Sequence, residues 1–245
     1  MTPANRRHEV VRQANVEAVF AAISDQAPIS RSSLVHRTGL SKPTVLRLVE
    51  ALEREGLIRR TAGSAPSRAG RIPVHYEPNP GAAHVIGVDV GGSKIALALS
   101  ALTGPILAEA EVATAGPDPE ALLRQLVDLT REVAQEAGVP WSEVGAVTVG
   151  LPGVENPDGT IELAGNLPGL GSMPVAARLT ASLGVPVQIE NDVNLAAMGE
   201  LEAGVARSCR TFALLSLGTG VGLGLVINGK LARGARGAAG EVAWL

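Results

Sequence analysis

The sequence contains a single cysteine, Cys209, among its 245 residues. One cysteine supports neither an internal disulfide framework nor a cysteine-based zinc cluster, and its isolation fits a reducing compartment. Long apolar runs are also missing, since no stretch approaches the roughly 20 residues of a membrane-spanning helix. The basic N-terminal stretch MTPANRRHEVVRQANVEAVFAAI is interrupted by polar residues and is not a signal-peptide core. We therefore expect a cytoplasmic protein without a membrane partner.

The charge is unevenly distributed along the chain. Residues 1–76 contain 12 Lys and Arg against 6 Asp and Glu, a net charge of +6, whereas residues 77–245 carry a net charge of −9. A basic head on an acidic body predicts that the head, and not the body, binds a polyanion such as nucleic acid.

The head has the spacing and capping residues of a helix-turn-helix. The apolar residues of NVEAVFAAI recur at helical spacing, and SRSSLVHRT fits a second helix with Ser30 as its N-cap. Gly39 in the turn TGLS is expected to have a positive φ, and Ser41 is expected to cap a third helix with Pro43 in its first turn. The predicted buried stripe of this helix is Val45, Leu48, Val49 and Leu52. Such a third helix is typical of the element that enters the major groove of double-stranded DNA.

A basic hairpin follows the third helix. The segments EGLIRR and RIPVHY predict two strands joined by the loop AGSAPSRAG, which together would form a wing. We expect Thr44 and Arg47 to read base edges and Lys42 to bind a phosphate. The expected DNA-binding residues are Ser41, Lys42, Thr44, Arg47, Arg59, Arg60, Arg68 and Arg71. The alternative is a small helical packing domain with solvated charges.

Two glycine-rich hairpins recur in the body, in HVIGVDVGGSKIALALSAL and in TFALLSLGTGVGLGLVINGKLARG. In the second, Asn228-Gly229 predicts a further hairpin turn between two strands. Their glycines would let a phosphate approach the backbone closely, and Asp89 would hold a metal-bound phosphate. From the residues alone, the candidates for phosphate binding are Asp89, Gly91 and Gly92 of the first hairpin. Each hairpin taken alone is equally an ordinary glycine turn. Together with the intervening strands and helices, they predict a duplicated mixed α/β fold that clamps a nucleotide between lobes.

A polar triplet, Glu190-Asn191-Asp192, lies between the predicted strand PVQIEND and the predicted helix VNLAAMGELEAG. Open α/β folds bind ligands at the carboxyl ends of their strands, where the Asp192 carboxylate is placed to accept a proton from a substrate hydroxyl. The alternative is that Asp192 only caps the helix. Asn166, in GNLPG, is a second polar residue in an otherwise apolar loop.

These motifs, in their order along the chain, resemble those of the ROK family, a name built from repressors, open reading frames and kinases. The resemblance rests on VDVGGSKI, VGLPG, GNLPG, ENDVNLAAMGE, LSLGTGVGLGLVINGKL and GAAGEV. It implies an actin-like, RNase H-like ATPase fold of the sugar kinase type, preceded by the winged helix-turn-helix of ROK repressors. It implies sugar-hydroxyl contacts at Asn166, Asn191, Asp192 and Glu241, with Asp192 at the position of the kinase base. It also implies nucleotide phosphate contacts in two motifs, the first with Asp89, Gly91 and Gly92 and the second with Gly218, Thr219 and Gly220. It also implies that a homodimer or tetramer binds the operator and that a sugar or sugar phosphate alters this binding.

Two features depart from the family pattern. Where zinc-binding members continue GE-x-G-H, this chain reads GEVAW, so Trp244 replaces a histidine that commonly contacts the sugar. The cysteine-rich zinc loop is also missing, and no zinc or other metal site is expected. The first lobe takes residues 84–205 but the second only 206–245, so we expect an incomplete second lobe after a winged helix-turn-helix at 1–78.

These observations leave three hypotheses. The first is a sugar-responsive, DNA-binding transcriptional regulator, a repressor by the family's bias. The second is an ATP- and magnesium-dependent kinase of a hexose or N-acetylhexosamine with a DNA-binding appendage. The incomplete lobe and Trp244 count against the kinase, because phosphoryl transfer needs positioning from both sides. The third is a truncated chain with an exposed apolar edge.

Overall fold

The computed structural model describes residues 3–62, 74–156, 158–162, 167, 169–218 and 220–242. The chain folds into two compact units, one of Met1–Ala83 with Ala101–Pro105 and the other of His84–Ser100 with Ile106–Leu245. The domain boundaries given above stay a prediction.

The helices of the first unit are α1 (Pro3–Asp25), α2 (Arg31–Thr38) and α3 (Lys42–Arg54). As predicted, Ser30 caps α2 and Ser41 caps α3, each by accepting a hydrogen bond from a backbone N–H of the first turn. Gly39 ends α2 with a φ of 67°, the left-handed conformation that the turn requires. The predicted apolar stripe of α3 is buried in full: Val45, Leu48, Val49 and Leu52.

The wing is built on strands β2 (Ile58–Ala62) and β3 (Val74–Pro78), which pair antiparallel and confirm the predicted hairpin. The short strand β1 (Ile29–Ser30) adds to the other side of β3 and was not predicted, because two residues have no detectable period. Arg31 donates from Nε to the Tyr76 hydroxyl at 2.7 Å and stacks on its ring at 5.5 Å from the centroid. Since Tyr76 is fully buried in β3, this contact holds the wing to the start of α2.

The second unit begins with a mixed sheet and the helices packed on it. In chain order the elements of this region are β4 (His84–Val90), β5 (Lys94–Ala101), β6 (Ile106–Ala113), α4 (Pro119–Glu136), β7 (Val144–Leu151), β8 (Val154–Glu155), β9 (Ile161–Glu162), α5 (Val175–Leu183) and β10 (Val187–Asn191). Five of the strands form the sheet, in the order β10-β7-β4-β5-β6. Strands β4 and β10 both pair parallel to β7, with Asp89 opposite Gly150 and Asn191 opposite Leu151. The carboxyl ends of these three strands therefore meet at one edge of the sheet, and the predicted position of Glu190-Asn191-Asp192 at the end of a strand is confirmed.

The core of this unit joins β4, β5 and β7 to helices α4 and α5. In α4, Leu122 and Leu126 are buried and Leu129 is half-buried, at the spacing of a helix face. Helix α5 was missed, although its buried Val175, Leu179 and Leu183 recur at the four-residue spacing of a helix.

The remaining elements are α6 (Asp192–Glu202), β11 (Phe212–Leu217), β12 (Val221–Ile227) and β13 (Lys230–Leu231). The strands pair antiparallel in the order β11-β12-β13. Asn228 and Gly229 both have positive φ, 54° and 74°, which confirms the predicted Asn-Gly hairpin turn. Helix α6 packs on β12 and β11, so it connects the end of the first sheet to the face of the second.

Two glycines of β12 allow this packing. A Cβ at Gly222 would lie 2.6 Å from Val193 Cγ2, and one at Gly224 would lie 2.6 Å from Ala197 Cβ and 2.7 Å from the Val193 carbonyl oxygen. The sequence pattern GVGLGLV, interpreted above as part of a phosphate motif, thus also provides the flat strand face on which α6 lies.

We expect Gly224→Ala to lower the free energy of unfolding by about 1–3 kcal/mol, because the new methyl group would overpack against helix backbone. The matched control is Gly199→Ala in α6, where a Cβ meets nothing within 4 Å. This change should stabilise the helix by about 0.5–1 kcal/mol, because alanine is the better helix former. Urea unfolding of both variants checks the prediction, and equal stabilities would contradict the close packing.

Candidate functional site

The predicted DNA-reading residues lie at the start of α3. Lys42 and Arg47 are exposed, whereas Thr44 is half-buried. The Thr44 hydroxyl lies 2.8 Å from the Ser41 hydroxyl, and Ser41 also accepts the Thr44 N–H. Ser41 and Thr44 are thus engaged in the helix cap, which leaves Lys42 and Arg47 as the free cationic side chains of this turn. Their roles in binding stay predictions.

Two of the predicted wing arginines, Arg59 and Arg60, are paired with acids of the head. Arg59 Nε lies 2.7 Å from Glu77 Oε1, and Arg60 Nε lies 2.5 Å from Glu53 Oε1. The Glu53 carboxylate also raises the pKa of Arg60 by hydrogen bonding and by its charge. A DNA phosphate would have to displace these carboxylates, and both arginines are exposed enough for that exchange.

Some predicted site residues fall outside the described part of the chain. These are Arg68, Arg71, Asn166, Thr219 and Trp244.

In the second unit, the predicted sugar contacts Asn191 and Glu241 come together. Asn191 is the N-cap of α6, since its Oδ1 accepts the Asn194 N–H at 3.0 Å. Its Nδ2 donates to the Gly153 carbonyl at 3.2 Å and to Glu241 Oε1 at 3.3 Å. The alternative in which Asp192 caps the helix is therefore wrong, because Asn191 performs that role.

Asp192 is the first residue of α6, and its Oδ1 accepts the Val193 N–H at 2.8 Å. Its second carboxylate oxygen makes no hydrogen bond within the described ranges. Asp192 therefore has an oxygen available to accept a ligand hydroxyl, at the positive end of a helix dipole.

Glu241 reaches the site on the segment that follows β13. Gly240 has a φ of 102°, and a Cβ there would collide with the Leu223 carbonyl oxygen. The Gly240 carbonyl in turn accepts the Leu223 N–H at 3.0 Å, so this segment lies directly against β12. Only glycine fits before Glu241, which explains the GE pair of the motif in physical terms.

Asp192 influences two neighbouring carboxylates. Burial raises the pKa of Asp89, and the negative charge of Asp192 raises it further, with Lys94 acting in the opposite direction. Burial likewise raises the pKa of Glu241, again with a contribution from Asp192. The structure thus brings Asp89, Asp192 and Glu241 into one electrostatically coupled group at the carboxyl edge of the first sheet.

The glycine turns use backbone N–H groups internally. The Gly91 N–H donates to the Lys94 carbonyl at 2.9 Å, and the Gly218 N–H donates to the Gly220 carbonyl at 3.0 Å. The Gly91 carbonyl accepts the Thr114 hydroxyl at 2.8 Å. A phosphate at these turns would therefore meet N–H groups other than those of Gly91 and Gly218. Gly92, next to Gly91, stays a predicted phosphate contact.

Sequence reasoning missed the role of Glu190. Its Oε1 accepts the Asn191 N–H and the Asn194 side-chain N–H, while its Oε2 binds Arg233. The triplet containing Glu190 was noticed, but Arg233 lies 43 residues further on and no local pattern connects the two.

Comparison with known proteins identifies the family. Residues 85–243 match the ROK family, and residues 15–59 match a family described as winged helix-turn-helix DNA-binding. The ROK match extends over more than half of the chain, so the chain belongs to the ROK family. The matched range includes Asp89, Asp192 and Glu241. The predicted architecture, a winged helix-turn-helix followed by a sugar-kinase-like, actin-like domain, is confirmed.

Individual relatives are similar over different parts of the chain. A xylose repressor of Caldicellulosiruptor bescii is 34% identical over 96% of this chain and 59% of its own length. A crystal structure of a ROK family transcriptional regulator, a homologue of the E. coli MLC protein, has a TM-score of 0.80 at 23% identity over 94% of this chain and 58% of that one. A ROK family glucokinase from Streptomyces griseus, solved with glucose and AMPPNP, has a TM-score of 0.58 at 33% identity over 64% of this chain and 49% of that one. The chain thus spans about three-fifths of the length of the curated repressor it matches.

Among the helices that the structure describes, none is long and apolar enough to cross a lipid bilayer.

The raised pKa of Glu241 predicts a stability change with a defined sign. A carboxyl group whose folded pKa is raised stabilises the fold below its unfolded value of about 4.5, and that contribution is lost as the pH rises. Glu241→Gln should therefore raise the unfolding midpoint at pH 7.5, and the gain should shrink toward pH 4. Glu162→Gln, an exposed acid on β9, is the control. Thermal unfolding across this range checks the prediction, and a gain that grows toward acid pH would contradict it.

Proposed function

We propose that the protein is a DNA-binding transcriptional repressor whose ROK domain senses a sugar. The proposal rests on two features that occur in one chain. The first is the capped helix α3 with its exposed cations Lys42 and Arg47. The second is the cluster of carboxylate and amide side chains at the carboxyl edge of the first sheet. The xylose repressor supports it, because the similarity extends over both units, whereas the glucokinase covers only the second.

The head is suited to a phosphate backbone. Its net charge of +6 lies mostly on exposed arginines and on Lys42, and the wing is held to α2 by Arg31 and Tyr76. If about six phosphates are neutralised per head, the logarithm of the binding constant should fall against the logarithm of salt with a slope near −5.

The second unit is suited to a neutral polyol. Asp192 and Glu241 accept hydroxyl protons, and Asn191 both donates and accepts. D-xylose is the first effector to test, since the repressor that matches 96% of this chain is a xylose repressor. We also propose that the protein binds its operator as a homodimer and that it is located in the cytoplasm.

The second candidate is an ATP-dependent sugar kinase, and Asp192 favours it, since its unpaired oxygen is placed like a general base. The residues would fit ATP and magnesium in one respect: Asp89 and Asp192 repel each other, and a divalent cation would relieve that repulsion. The cation would neutralise charge on a transferring phosphate, while Asp192 would take the proton of the sugar hydroxyl.

DNA recognition is tested on a duplex selected by the full chain from a randomised pool. Arg47→Ala should cost about 1–3 kcal/mol in binding free energy and relax preference at one position, whereas Lys42→Ala should weaken all sequences alike and reduce the salt slope by about one. Arg124→Ala, which removes an exposed charge from α4, is the control. An absence of sequence preference with and without sugar would overturn the repressor proposal.

The sugar site is tested by calorimetry with D-xylose, D-glucose and N-acetyl-D-glucosamine. We expect one of these to bind, and Asp192→Asn and Glu241→Gln each to weaken binding by about tenfold, because each removes a charged hydrogen-bond acceptor. An ATP-coupled assay with the same sugars should show no turnover. Turnover that Asp192→Asn abolishes would replace the repressor proposal by the kinase.

A further inference from the structure

The carboxylate of Glu190 connects two parts of the candidate sugar site. Oε1 accepts the Asn191 N–H at 3.1 Å and the Asn194 Nδ2–H at 3.0 Å. Oε2 accepts Arg233 through Nε and Nη2, both at 2.7 Å. Glu190 thereby holds the first turn of α6 with one oxygen and the segment after β13 with the other.

Arg233 lies near the start of the segment 232–242, and Glu241 lies near its end. The Arg233 carbonyl accepts the Ala239 N–H at 3.1 Å, and the Glu241 N–H donates to the Ala238 carbonyl at 3.3 Å. The first bond joins Arg233 to Ala239, and the second joins the adjacent Ala238 to Glu241, so the two ends of the segment are connected. A shift of Arg233 would therefore be transmitted to Glu241 through backbone hydrogen bonds.

An ordinary surface ion pair would contribute little to this arrangement, because holding two mobile side chains in solvent costs entropy. Glu190 differs from that case, since its side chain is 17% exposed and both its oxygens are bonded. Two Arg233 nitrogens contact the same oxygen, Oε2, and these contacts are charge-assisted. Burial raises the pKa of the nearby Glu155, and the charge of Glu190 raises it further, so a second acid lies beside this ion pair.

We propose that Glu190 and Arg233 form a positioning pair that fixes Glu241 relative to Asn191 and Asp192 for sugar binding, without contacting the sugar themselves. The inference rests on the proposed sugar-binding function of this cluster. It assigns roles to two residues that the sequence motifs did not distinguish, and it makes the orientation of segment 232–242 a determinant of affinity.

The test uses the full chain with D-xylose, D-glucose and N-acetyl-D-glucosamine in calorimetry. Arg233→Gln and Glu190→Gln should each weaken sugar binding by about tenfold, and the double variant should lose no more than either single one. Arg233→Lys, which keeps the charge, should recover part of the affinity. The control Arg236→Gln changes an exposed arginine of the same segment and should leave affinity unchanged. The proposed pair would be overturned if the losses of affinity in the two single variants added up in the double variant. It would also be overturned if Arg233→Gln bound sugar as tightly as the wild type.

A second measurement does not depend on sugar. Cleavage by trypsin after Arg236 should accelerate at least threefold in Arg233→Gln and in Glu190→Gln, while the urea midpoint of the whole domain stays within the wild-type range. If the wild type binds none of the sugars, the proposed function fails and cleavage still decides the pair. Cleavage at the wild-type rate in both variants would overturn the positioning role whatever the sugar result.

Discussion

The close packing of α6 on β12 is the constraint on which the rest of the candidate site depends. The helix begins where β10 ends and lies on the face of the second sheet, at a separation that only Gly222 and Gly224 permit. Because Asn191 and Asp192 occupy the first turn of this helix, their position is set by both sheets at once. Glu241 is brought to the same place by Gly240, which lies against the backbone of β12.

Asn191 illustrates how little freedom this geometry leaves. One side-chain amide caps α6, contacts the Gly153 carbonyl and donates to Glu241, so that the helix start, the loop after β7 and the last described segment share a single group. A ligand hydroxyl could replace the hydrogen bond between Asn191 and Glu241. It would then become part of this network, whereas a ligand on a preformed surface leaves the existing hydrogen bonds unchanged. Recognition at such a site depends on how well the network tolerates that exchange.

The sequence predicted the elements whose signals are local. Ser30, Ser41 and the Asn228-Gly229 turn are capping and turn chemistry, and the structure places each as expected. The position of Asn191 at the end of a strand was also predicted, but the parallel pairing that brings Asp89 to the same edge was not. The contact between Glu190 and Arg233, and the second role of Gly222 and Gly224, depend on packing between distant segments, for which sequence periodicity contains no information. Strand β1 was missed for the opposite reason, since it is too short to have a period.

The three coupled carboxylates bear on the proposed sugar sensing, because they give the cluster a reason to prefer a neutral ligand that carries hydroxyl groups. Asp192 raises the pKa of both Asp89 and Glu241, so the cluster without a ligand holds negative charges that burial and mutual repulsion disfavour. Sugar hydroxyls donate hydrogen bonds without adding charge, and each one that binds relieves part of this cost. In the proposed function, the free energy gained on binding would thereby be linked to the arrangement of segment 232–242, because Glu241 lies on it. A ligand changes the population of protein states only through such differential interaction, and the carboxylates provide it where the helix, the two sheets and this segment meet.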